Sequence, residues 1–173
     1  CAKKFSIDVI IRITADNPLI DPTIVDDMIK KFTSNSYDYL SNAHVRTFPY
    51  GTEVEIFSFN ALENAWENAK KPSEREHVTP YLYNNLDNFK IFNVEYSKNI
   101  SNLRWTIDRN ADLKLIRLII SKIKNRPILL DDILVLYSKE PQLFELNKTD
   151  IPNEGFLKSL KEDEEFKNQS RND

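Results

Sequence analysis

Val9-Ile10-Ile11-Arg12-Ile13 is a β-branched, almost wholly apolar run that stops abruptly at Thr14-Ala15-Asp16-Asn17-Pro18. Its length suits a buried strand, and Asp21-Pro22 then supplies an N-cap and a first-turn proline for a helix. That order, strand to acidic turn to helix, is the start of an α/β unit with a parallel-sheet character. In open α/β sheets ligands collect beyond the carboxyl ends of strands, so Asp16 sits where a hard cation or a phosphate group would be met.

The rest of the chain extends this pattern. Ile24, Val25, Met28, Ile29 and Phe32 recur at helical spacing over residues 22–33, and 37–40 makes a second short strand. Residues 41–52 are polar and aromatic around Pro49-Tyr50-Gly51, which reads as a surface loop able to carry ligand contacts. Val54 to Phe59 alternates as a strand; Asn60 with Glu63 then predicts a capped helix whose buried side is Leu62, Ala65, Trp66 and Ala69. A short helix over 75–82 contains Pro80. Strands are expected over 89–96 and 103–107, antiparallel if residues 97–102 form a hairpin. Asn110 caps a strongly apolar helix, one more helix spans 131–145, and residues 158–173, lacking a sustained apolar stripe, are expected to be a solvated tail. Residues 1–157 form the domain in this reading.

Composition narrows the function. At 173 residues and 40% hydrophobic the chain can bury the core of one domain. A net charge of −3 gives no basic footprint for nucleic acid, and no apolar run reaches the length of a membrane span. Cys1 has no second cysteine to pair with, so a soluble cytoplasmic protein is expected. Only Gly51 and Gly155 are present, where about 7% usage would give roughly a dozen; a glycine-rich phosphate loop cannot be built from two. Met28 is the only methionine and position 1 is cysteine, so the chain reads as a piece of something longer.

Asp16 and Asp108 are the leading pair, each being the first carboxylate after an expected strand. Side by side they would make a Mg²⁺ site that leaves room for water and substrate phosphate; the plainer alternative is that both terminate strands or cap helices. Arg75, Glu76 and His77 could orient an anionic substrate or simply form a charged helix start. Glu53 and Glu55, two residues apart on a strand, project to one side, toward a sugar or metal or toward solvent. No nucleophile elbow, zinc-ligand spacing or P-loop occurs.

Ordered blocks then identify a relative. Residues 12–21 (RITADNPLID), 38–42 (DYLSN), Phe48-Pro49-Tyr50-Gly51 with Glu53-Val54-Glu55, Arg75-Glu76-His77-Val78-Thr79-Pro80-Tyr81, 103–108 (LRWTID) and 153–160 (NEGFLKSL) resemble the cytidylyltransferases that activate sugar acids, in particular the branch of spore coat polysaccharide biosynthesis protein F. The resemblance implies a nucleotide-diphospho-sugar transferase-like α/β/α sandwich with a mixed, mostly parallel sheet. It implies transfer of CMP from CTP to a sugar acid, with Asp16 and Asp108 holding Mg²⁺, and with Asn42, Glu53, Glu55, Arg75, Glu76 and His77 on the sugar side. A homodimer is expected, with no nucleic-acid or membrane partner. The family's first β-α-β-α portion, with its nucleotide loop, has no counterpart in this sequence. A non-catalytic dimerisation or sugar-binding remnant is the alternative; a glycosyltransferase, lacking a well-spaced Asp-x-Asp, is a distant one.

Overall fold

The computed structural model describes residues 1–148 and 154–169. In chain order, strand β1 (Val9–Arg12) is followed by helix α1 (Pro22–Thr33), strands β2 (Tyr39–Ser41) and β3 (Glu55–Ser58), helices α2 (Phe59–Asn68), α3 (Pro72–His77) and α4 (Pro80–Tyr83), and strand β4 (Ile91–Asn93). Three further helices follow: α5 (Asn110–Lys122), α6 (Leu130–Lys139) and α7 (Glu154–Gln169).

The sheet has the order β1-β3-β2-β4. β1 and β2 run in the same direction, as a β-α-β unit requires, but β3 lies between them and pairs antiparallel with both. β2 and β4 pair in parallel. The inserted strand follows from the loop that precedes it. Asn42 donates from Nδ2 to the Thr52 carbonyl at 2.8 Å and accepts at Oδ1 from the Val54 amide at 2.9 Å, closing the excursion so that the chain returns beside β2.

Period-two alternation splits the sheet residues between two helical layers. Leu40 and Ile56 pack with Met28 and Phe32 of α1. Tyr39 and Phe57 face the other way, against Ala61 and Ala65 of α2 and Leu82 of α4. Helices thus cover both faces, the α/β/α arrangement expected. A third cluster joins Leu103 and Trp105 to Leu115, Ile116 and Ile119 of α5 and Ile133 of α6.

Several local expectations are corrected. β1 is an edge strand: Ile10 packs inward, yet Val9, Ile11 and Ile13 are each about 40% exposed. An edge position leaves alternate side chains uncovered however apolar the run. α2 begins at Phe59 rather than after Asn60, because Ser58 Oγ accepts the Ala61 amide at 3.1 Å. Trp66 is exposed; the small Ala61 and Ala65 make the close contact with the sheet. Residues 103–107 are extended without joining the sheet, because their backbone bonds go to loops instead: Trp105 N–H to the Tyr50 carbonyl at 2.8 Å and Ile107 N–H to that of Asp16 at 2.8 Å.

The expected solvated tail is also corrected, because residues 158–169 belong to α7, which packs along α3. Asp163 accepts from the Ser73 amide at 2.9 Å and from its hydroxyl at 2.6 Å, and both side chains are buried. The contact is made by polar pairs, so hydropathy gives no sign of it. The expected domain limit at residue 157 falls inside this helix. Asn153, quoted in the last resemblance block, lies outside the described residues.

Candidate active site

The carboxyl ends of β1 and β2 and the start of β3 open onto a cleft of about 1110 Å³. Its floor is Arg12, Tyr39 and Glu55; one wall is Arg104, Thr106 and Asp108, and the opposite wall is His77, Thr79, Tyr83 and the first turns of α7.

Glu55 is the electrostatic centre of the floor. Its side chain is buried, yet it accepts from three neighbours: the Arg12 guanidinium, the Tyr39 hydroxyl at 2.5 Å and the Thr79 hydroxyl at 2.7 Å. Such saturation keeps a buried carboxylate charged without an orphaned lone pair. Burial, and then the Glu55 charge, hold the Tyr39 hydroxyl well above its usual range. Tyr83 is pushed up to about 12 by burial and by Glu55, against the opposing charge of Arg12. Both phenols are therefore neutral donors at physiological pH.

Glu53 organises the loop above. It accepts from Asn17 Nδ2 at 3.0 Å, from Arg46 Nη1 at 2.5 Å and from the Gly51 amide at 2.8 Å, and the Arg46 guanidinium lies 3.8 Å from the centre of the Tyr50 ring. Gly51 has φ of 100°, and a Cβ there would stand 2.7 Å from the Thr106 nitrogen and the Trp105 carbonyl carbon. Only glycine permits this turn to lie against the 105–106 backbone.

The same backbone brings the two candidate aspartates into one cleft. The Asp16 carbonyl accepts from the Ile107 amide at 2.8 Å and from the Thr106 hydroxyl at 3.2 Å, one residue before Asp108. Asp16 Oδ1 is buried and finds no hydrogen-bond donor among the described residues. Asp108 is half exposed and pairs with Arg104 Nη2 at 2.5 Å. Arg104 is in turn gripped by Asp112, a fully buried carboxylate that also accepts from Asn147 Nδ2 at 2.7 Å and from the amides of Asp108 and Arg109. Burial alone would raise the Asp112 pKa, but these donors together hold it below the ordinary carboxylate value.

Other expected substrate residues are placed differently. Asn42 is buried in the loop closure described above, Arg75 donates to the Trp66 carbonyl at 2.6 Å, and Glu76 accepts from Ser159 at 2.5 Å; none of the three lines the cleft. His77 does line it. Their neighbours in sequence carried the block pattern, but a buried amide and a helix-surface pair satisfy themselves locally. Arg12, Tyr39, Thr79, Arg104 and Asp112 were not singled out by sequence reasoning. Arg12 and Arg104 had a signal: an arginine interrupting an apolar strand-like run needs a buried acidic partner.

The cytidylyltransferase family profile matches residues 1–148, which includes the cleft floor and the aspartate wall. The chain belongs to the cytidylyltransferase family. It is 42% identical over 116 residues to an uncharacterized protein of Methanocaldococcus jannaschii, a match covering 66% of this chain and 46% of that protein. It is 28% identical over 137 residues to spore coat polysaccharide biosynthesis protein SpsF of Bacillus subtilis, covering 77% of this chain and 56% of that one. A solved cytidylyltransferase from Leptospira borgpetersenii serovar Hardjo-bovis superposes with a TM-score of 0.81 at 34% identity, over 87% of this chain and 63% of its own. This cytidylyltransferase chain spans about half the length of the curated relatives it matches. Helix α7 lies beyond the region the family profile matches. No helix among the described residues is long and apolar enough to cross a membrane.

Proposed function

We propose that the cleft binds a sugar acid and the phosphates of CTP, and that the protein transfers CMP to the sugar acid for surface polysaccharide biosynthesis. The observation that carries this reading is the buried Asp16 Oδ1, without a hydrogen-bond partner among the described residues, in the cleft that Asp108 also lines. A buried carboxylate oxygen without a donor is costly unless a cation meets it. The donor set is all oxygen, and no group of three or more metal-ligating side chains occurs among the described residues. Two carboxylates with remaining positions for water and phosphate oxygen suit Mg²⁺. Asp16 and Asp108 would hold the ion, which when bound neutralises charge on the phosphate oxygens.

In the transfer, the acceptor's hydroxyl oxygen bonds to the α-phosphorus, the bond from that phosphorus to the bridging oxygen breaks, and pyrophosphate leaves with its electron pair. The hydroxyl proton passes to solvent in the open cleft. Tyr39 and Thr79 keep Glu55 in place as a fixed charge, while Arg12 and Arg104, each tied to a carboxylate, hold the shape of the floor and wall. The polysaccharide role is supported by likeness to the spore coat protein. The exposed apolar side of β1 suits the second copy of a homodimer, which light scattering at micromolar concentration reads directly.

Pyrophosphate release from CTP and Mg²⁺ with a panel of sugar acids tests the reading. Asp16→Asn should lower kcat/KM by about 100-fold or more with an unchanged far-ultraviolet spectrum, the scale of a lost charge-stabilising group. Undiminished turnover in that variant refutes it.

A further inference from the structure

Three of the arginines lining the cleft are neutralised by carboxylates of the protein itself: Arg12 by Glu55, Arg46 by Glu53, and Arg104 by Asp108 and Asp112. An anionic substrate entering there meets those three guanidinium groups already paired, which leaves a place for further cations at the cleft margin. α7 offers it. One face of this helix grips α3 through Ser159 and Asp163, while Leu157, Lys158 and Lys161 line the cleft. Lys158 and Lys161 are three residues apart and so share a helix face. Lys161 has no carboxylate partner among the described residues. Among the described residues Lys158 pairs with Glu162 of its own helix alone, at 3.8 Å, an exposed pairing of little worth.

The anchoring of α7 is more specific than a surface helix needs. Ser159 Oγ lies 2.5 Å from Glu76 Oε2 and 3.1 Å from His77 Nε2. With its proton committed to the carboxylate, Ser159 accepts from Nε2–H, and Phe156 meets the imidazole edge-on at 5.2 Å between ring centres. The helix is thus pinned at the cleft margin by a cleft-lining histidine as well as by the buried Asp163. We propose that Lys158 and Lys161 bind the carboxylate of the acceptor sugar acid, making α7, outside the family-matched region, a determinant of acceptor choice. This rests on the acceptor reading above.

Heteronuclear NMR of the chain, following the lysine Nζ signals, tests it with three probes: 3-deoxy-manno-octulosonate, its neutral carboxamide and inorganic phosphate. The acid should shift both Nζ signals, and Lys158→Gln/Lys161→Gln should weaken its binding about tenfold, the size of one charge-assisted hydrogen bond at a solvent-facing site. The carboxamide should bind wild type and variant alike, and a Lys158→Arg/Lys161→Arg variant should restore affinity for the acid. Equal affinity for the acid in wild type and the glutamine variant overturns the proposal. So does silence of both lysines toward the acid, or a response to phosphate alone, which would assign them to the nucleotide. Turnover separates the two readings: CMP transfer with an unchanged acceptor KM in the glutamine variant refutes the lysine site only, whereas lysine-dependent acid binding without CMP transfer refutes the proposed function only.

Discussion

Asp112→Asn is the sharpest single test of how the cleft wall is held. Asp112 Oδ1 accepts from Arg104 Nε at 3.2 Å and Asn147 Nδ2 at 2.7 Å; Oδ2 accepts from Arg104 Nη2 at 3.1 Å and the amides of Asp108 and Arg109 at 3.0 and 2.9 Å. Every contact is a donor aimed at a carboxylate oxygen. An asparagine can keep only one oxygen, so whichever way its amide turns, an NH₂ group faces two or three donors. It also leaves the nearly buried Arg104 guanidinium with Asp108 alone. Breaking a buried pair in this way costs about 3–5 kcal/mol, and at roughly 2–4 °C per kcal/mol for a domain of this size the melting temperature should fall by about 6–20 °C. Chemical denaturation of both proteins at neutral pH measures the difference. The pH dependence gives an independent check. The folded-state pKa of Asp112 is lowered, so its contribution is complete above the unfolded value of about 4 and is lost as pH falls through the folded value. The gap between wild type and variant should therefore narrow below about pH 4. A gap under about 1 kcal/mol at neutral pH, or one that widens in acid, refutes the claim that this carboxylate braces the wall.

Two further substitutions probe separate joints. Gly51→Ala places a methyl group 2.7 Å from the Thr106 nitrogen in a left-handed backbone, so a loss of about 2 kcal/mol or more is expected in denaturant titration; a neutral outcome would show that the turn and the 105–106 backbone part easily. Asp163→Ala removes both acceptors of Ser73 and should accelerate amide exchange across residues 154–169 by about tenfold, with the sheet amides unaffected; unchanged protection of the helix would contradict the polar docking of α7.

The parts of this architecture that hydrophobic periodicity encodes were legible in the chain. α1 occupies the expected residues 22–33 because Asp21 caps it, accepting the Thr23 amide at 2.7 Å, and because five apolar residues recur on one side. The position of β1 followed from its β-branched run, but its exposure did not, since an edge strand and a central strand can carry the same letters. Residues 103–107 look like a strand for the same reason; which backbone receives their hydrogen bonds is settled by Tyr50 and Asp16, far away in sequence. Asp16 and Asp108 could be placed at the ends of extended segments, and both line the cleft. Arg104–Asp112 and Glu55–Tyr39–Thr79 were hidden because charge pairing across 8 to 24 residues leaves no periodic trace. That residues 158–169 form part of a docked helix was hidden because a serine, an aspartate and a histidine, not an apolar stripe, hold it.

Strand register and site charge are one device in this molecule. Glu55 occupies the first position of β3, flanked by Arg12 on β1 and Ser41 on β2, with Tyr39 two residues back along β2. Slipping β3 by a single residue would turn Glu55 toward the layer formed by Met28, Phe32 and Leu40, with no donor to meet it, and would strand Arg12 at the same time. Misaligned sheets are thereby penalised by the very carboxylate that gives the finished cleft its polarity, so a chain that has folded to the correct alignment has, in the same event, assembled its binding floor.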